Sequence, residues 1–117
     1  MSSPSRKLTN EVPIACNLSA IPAEALEQHK AMAAELFLAV EESRELPDGY
    51  AFRLPGRTEL WLQAAEFIKN ERLCCPFFRF TLEFEPAGGP VWLKLTGSEA
   101  VKLFIQAEIL PSAARRS

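Results

Sequence analysis

Phe78-Arg79-Phe80-Thr81-Leu82-Glu83-Phe84-Glu85, then Pro86-Ala87-Gly88-Gly89-Pro90, then Val91-Trp92-Leu93-Lys94-Leu95-Thr96, is the stretch that decides the fold. Apolar side chains at 78, 80, 82 and 84 alternate with polar ones, the period of a half-buried strand. The Pro/Gly cluster turns the chain and Val91–Thr96 returns, which predicts an antiparallel hairpin. Strands with one apolar and one polar face need helices on one side and water on the other.

The flanking sequence supplies those helices. Tyr50, Phe52 and Leu54 share one face of a further strand, with Ala51 and Arg53 on the other. Pro55-Gly56 breaks it. Thr58 can cap a helix from about Glu59 to Cys74, because Cys75 precedes Pro76 and disfavours helical backbone. Upstream, Pro22 opens a long helix with Glu24 and Glu27 near its positive end. Its stripe is Leu26, Ala33, Leu36, Phe37 and Val40, and Pro47-Asp48-Gly49 stops it. Downstream, Gly97 ends the last strand and Ser98 caps a helix from Glu99 to Ile109. The expectation is an α+β fold, a two-layer sandwich of order α-β-α-β-β-α. Its three-stranded, mainly antiparallel sheet carries helices on one face. Residues 13–111 form the single domain, between flexible tails at 1–12 and 112–117. On the wet face Arg53, Arg79 and Lys94 can pair with Glu83 and Glu85. Trp92 falls on the same face, and an exposed tryptophan there suggests a subunit or domain contact, a homodimer being one form of it.

The chain has 117 residues, 48% apolar and 24% charged, with a net charge of −2. That suits one soluble domain and argues against a nucleic-acid surface, which needs a basic excess. Basic pairs occur only at the ends, Arg6-Lys7 and Arg115-Arg116. The first twenty residues hold no apolar signal region, and no run approaches the roughly 18 apolar residues that span a bilayer. A cytoplasmic location follows as the expectation, and there thiols stay reduced.

The chemistry gathers around Glu71-Arg72-Leu73-Cys74-Cys75-Pro76-Phe77. Two of the chain's three cysteines are adjacent. A vicinal pair can chelate a soft metal, cycle through a disulfide, or pack as two small hydrophobes. On a helical wheel Leu60, Ala64, Phe67 and Ile68 define the inward stripe. Glu71 lies within it, and Cys74 and Cys75 follow at i+3 and i+4. A carboxylate there must be protonated, hydrogen-bonded or coordinated; the plain alternative is escape to solvent at the helix end. A helix C-terminus disfavours a free thiolate, which weighs against Cys74 as a nucleophile, whereas coordination deprotonates a thiol outright. Cys16 sits in an apolar segment before the first helix, and as a third thiolate it would suit Zn²⁺, Hg²⁺ or trivalent arsenic. Sulfurs within roughly 4 Å of one another would fit a shared ion with bonds of about 2.3 Å. His29, the only histidine, reads as a surface or boundary residue. No phosphate-binding Gly-rich loop and no Gly-x-Ser-x-Gly elbow is present.

Ala15-Cys16-x-Leu18 together with Glu71-x-x-Cys74-Cys75-Pro76-Phe77-x-x-Phe80-x-Leu82 resembles a small, largely uncharacterised bacterial family found in heavy-metal, especially mercury, resistance settings. Glu45–Phe52 and Leu93-x-Leu95-Thr96-Gly97 also fit, so the likeness spans most of residues 14–109. The resemblance implies a soft-metal connection and that Cys16, Glu71, Cys74 and Cys75 act together. The leading expectation is therefore a protein that binds a thiophilic metal or metalloid ion through these four residues. A thiol-dependent enzyme on an organometallic or redox substrate, with Glu71 as acid/base, is the second reading. A dimeric interaction module with core cysteines is the third.

Overall fold

A computed structural model describes residues 16–110. The tails expected at 1–12 and 112–117, and the domain edges beyond 16 and 110, lie outside these residues. A 3₁₀ turn at Leu18–Ala20 leads into α1 (Ala23–Leu38), β1 (Glu42–Leu46), β2 (Gly49–Leu54), α2 (Thr58–Cys74), β3 (Arg79–Phe84), β4 (Val91–Thr96) and α3 (Glu99–Phe104). The last helix continues as a π-helical turn, Ile105–Ile109. The α+β class is as expected. The sheet, however, has four strands in the order β1-β2-β4-β3, all pairs antiparallel, so the element order is α-β-β-α-β-β-α.

The added strand comes out of the predicted first helix. α1 ends at Leu38, and Glu42–Leu46 pairs with β2 from Glu42↔Arg53 to Leu46↔Gly49. Glu-Ser-Arg-Glu-Leu has neither alternation nor high strand propensity. It becomes a strand because the Pro47-Asp48 turn folds it against β2, so tertiary pairing overrides local preference. Gly49 is needed on the other side of that turn, since a Cβ there would run into the Leu95 carbonyl on β4.

β3 and β4 form the predicted hairpin, Arg79↔Thr96 to Phe84↔Val91. Its turn places Ala87 and Gly88 at φ 60° and 72°. Across the sheet centre Tyr50↔Leu95, Phe52↔Leu93 and Leu54↔Val91 pair on the inner face. Phe37 of α1 meets Phe52 edge-on at 5.4 Å, and Phe67 of α2 meets Phe80 at 6.5 Å, so both long helices cover the same side. Phe104 of α3 packs on Phe77 at 5.1 Å. Phe52, Leu36, Leu93 and Leu95 are fully buried, each worth about 1.5–3 kcal/mol in apolar burial. At the helix starts, Ser98 caps α3 as expected, its Oγ accepting from Val101 N at 3.3 Å. Thr58 does not cap α2, because the N-cap position belongs to Arg57.

On the outer face Lys94 Nζ pairs with Glu83 at 2.9 Å, and Arg53 reaches Glu41 at 3.3 Å. Trp92 departs from expectation. It is buried, with Arg44 4.6 Å over its ring and its Nε1 donating to Glu85 at 2.8 Å. Arg44 comes from β1, the strand the sequence pattern concealed. The exposed tryptophan on which a subunit contact was expected is therefore absent.

Candidate thiol and metal site

The site is built at the C-terminal end of α2. Leu60, Ala64 and Phe67 are buried along its inner stripe, as are Glu71 and Cys74, while Lys69 and Arg72 are exposed. The helix stops where Pro76 demands it. Cys75 takes φ −129° and ψ 69°, yet its N–H still donates to Glu71 O at 2.7 Å. That last bond holds both thiol side chains on the Glu71 side, with the Cys74 and Cys75 sulfurs 3.5 Å apart.

Cys16 reaches the pair. Asn17 N–H donates to Cys74 O at 2.7 Å, satisfying one of the carbonyls left open at a helix end and stitching the incoming segment to α2. The Cα atoms of Cys16 and Cys75 lie 4.7 Å apart, and the two residues form a disulfide. The expectation of reduced thiols throughout is met only by Cys74, which is free and buried. One ligand atom from each of Cys16, Glu71, Cys74 and Cys75 lies within 4.8 Å of all the others. Cys16 is exposed and the other three are buried.

Glu71 is buried in company. Its Oε1 lies 2.9 Å from His29 Nε2 and accepts a hydrogen bond from Cys74 Sγ at 3.6 Å. His29 is a correction to the sequence reading, since it is only 4% exposed and stacks on Phe67 at 5.7 Å. The signal was legible in part: Leu26, His29, Ala33 and Leu36 follow the 3-4-3 spacing of one helix face. The partner on α2 was not, because nothing in the pattern says that α1 lies against Glu71. His29 Nδ1 is buried with no hydrogen-bond partner among the described residues.

Electrostatics at Cys74 follow from this packing. Burial pushes its thiol up from 9.0 to about 12, with the Glu71 charge and the hydrogen bond to Glu71 acting in the same direction. Cys74 is thus a protonated thiol at neutral pH, held so by burial and by Glu71. A bound cation would reverse this, since coordination favours the thiolate.

Beside the His29–Glu71 pair opens a cleft of about 310 Å³ whose walls include Leu18, Ala33, Phe37 and Phe67. Glu71 is part of its lining. No helix among the described residues is long and apolar enough to cross a membrane. No protein-family model, no curated protein and no solved structure matches the chain.

Proposed function

We propose that the reduced protein binds one thiophilic metal or metalloid ion through Cys16, Cys74 and Cys75, with Glu71 as the fourth ligand. The observation that carries this reading is the approach of all four ligand atoms to within 4.8 Å of one another. A tetrahedral ion with sulfur bonds of about 2.3 Å holds its sulfurs roughly 3.8 Å apart. The 3.5 Å between Cys74 and Cys75 needs little adjustment to reach that. Three soft thiolates select Hg²⁺, Zn²⁺ or trivalent arsenic over hard cations. The resemblance to a bacterial family of heavy-metal settings favours Hg²⁺ among them, and a cytoplasmic location would keep the thiols reduced. His29 supports the carboxylate from behind, as outer-shell partners do in metal sites.

The test is stoichiometry. Reduced protein is expected to take up about one Hg²⁺, Zn²⁺ or As(III), and the Cys74→Ser/Cys75→Ser variant none. Equal uptake by that variant would sink the reading.

The His29–Glu71 pair beside an open cleft favours a second reading, a thiol-dependent enzyme in which Glu71 moves a proton while the thiols hold an organometallic or redox substrate. A steady-state turnover that vanishes in Glu71→Gln, while ion uptake persists, would separate it from binding alone.

A further inference from the structure

We propose that the site also performs thiol–disulfide exchange, with low-molecular-weight dithiols and disulfides as substrates, and that this exchange loads and unloads the ion. The loading half rests on the ion-binding reading above. The exchange half rests on the cysteine pairing alone.

The same sulfurs serve both states. With Cys16 and Cys75 joined, only Cys74 and Glu71 remain as donors, too few for the four-coordinate shell of a structural soft-ion site. With the bond open, all four donors are available without large movement, because the Asn17 N–H bond to Cys74 O positions Cys16 independently of the disulfide. Access is asymmetric. Cys16 is exposed, whereas Cys75 and Cys74 are 0% and 1% exposed. An external sulfur therefore meets Cys16 first, and Cys74 is held back from both oxidant and reductant.

The exchange balances as follows. One thiolate of a dithiol attacks Cys16 Sγ, the bond to Cys75 breaks, and Cys75 leaves as a thiolate. The second dithiol sulfur then attacks its own partner sulfur in the mixed disulfide, closing a cyclic disulfide and releasing Cys16 as a thiolate. Two electrons pass from dithiol to protein. The two dithiol protons end on Cys16 and Cys75, or in solvent when an ion takes their place. A small disulfide runs the cycle backwards, yielding the Cys16–Cys75 bond, two small thiols and the free ion.

The experiment uses the full chain, reduced, loaded with Zn²⁺ and then titrated with glutathione disulfide. Free zinc is followed with a chromophoric indicator, and cysteine pairing by peptide mass mapping. Zinc is expected to appear one for one with the Cys16–Cys75 bond, Cys74 to stay a thiol, and dithiothreitol to restore uptake. Cys16→Ser should bind zinc more weakly and form no internal disulfide with Cys75, and Cys74→Ser should still cycle the Cys16–Cys75 bond while binding zinc poorly. Zinc that stays bound once the Cys16–Cys75 bond is complete overturns the coupling and leaves the ion-binding reading standing. A reduced chain that binds no Zn²⁺, Hg²⁺ or As(III) while the bond cycles normally overturns the ion-binding reading and the coupling together. Oxidation that yields Cys74–Cys75 instead overturns the exchange route.

Discussion

The outer face of the sheet and the inner end of α2 both mix charges with apolar side chains, and they do so to opposite effect. On the outer face the ion pairs are half in water: the side chains of Lys94 and Glu83 are 30% and 46% exposed, and those of Arg53 and Glu41 both 41%. Such pairs contribute about 0–1 kcal/mol each. Beside them the Arg44 guanidinium lies 4.6 Å over the Trp92 ring and covers it. At the end of α2 the side chains of His29 and Glu71 are only 4% and 10% exposed. There His29 depends on Glu71, because removing the carboxylate leaves the imidazole buried with no partner among the described residues. Exposed charges can shield a core residue and be exchanged freely; buried ones fix a geometry, and a fixed geometry is what a ligand site requires.

Breaking the contrast begins with Glu71→Ala, which strands His29 and should cost about 2 kcal/mol in a urea titration. Glu71→Gln keeps a hydrogen-bonding group and should cost clearly less. The alkaline response of Cys74 comes next. Its folded-state pKa lies above 9.0, at about 12, so the native state holds the proton more tightly than the unfolded chain. The stability this contributes is complete below pH 9 and is lost as pH rises through that window. Wild type should therefore lose more stability between pH 8 and pH 11 than Cys74→Ser does, as compared by urea midpoints. Glu71→Gln should narrow the difference by removing the Glu71 charge. Arg44→Ala should cost about 1 kcal/mol or less and shift Trp92 fluorescence to the red as the ring becomes wet. The smallest effect is Lys94→Ala, about 0.5 kcal/mol or less and smaller still in 1 M salt. A Lys94→Ala loss as large as that of Glu71→Ala would erase the distinction between the two regions.

Local pattern carried most of this architecture. The Phe78–Thr96 hairpin, the Tyr50–Leu54 strand, the α2 stripe and its stop at Pro76 were all legible, because period and turn chemistry act over neighbouring residues. β1 was not, since Glu42–Leu46 is a strand only by pairing with β2; the Pro47-Asp48-Gly49 turn ahead of a clear strand was the one hint of a hairpin. Trp92 was misjudged for the same reason, as the strand that brings Arg44 over it was missing. At the site, Glu71, Cys74 and Cys75 fell together from helical spacing alone. The placement of Cys16 rested on resemblance until the Asn17–Cys74 backbone bond and the disulfide placed it. His29 was passed over because its partner comes from 42 residues away, on another helix.

The most direct measurement is X-ray absorption on the reduced protein loaded with one equivalent of Zn²⁺. Three sulfur scatterers at about 2.3 Å with one lighter atom near 2.0 Å are expected for Cys16, Cys74, Cys75 and Glu71. A shell of oxygen and nitrogen without sulfur would contradict the account.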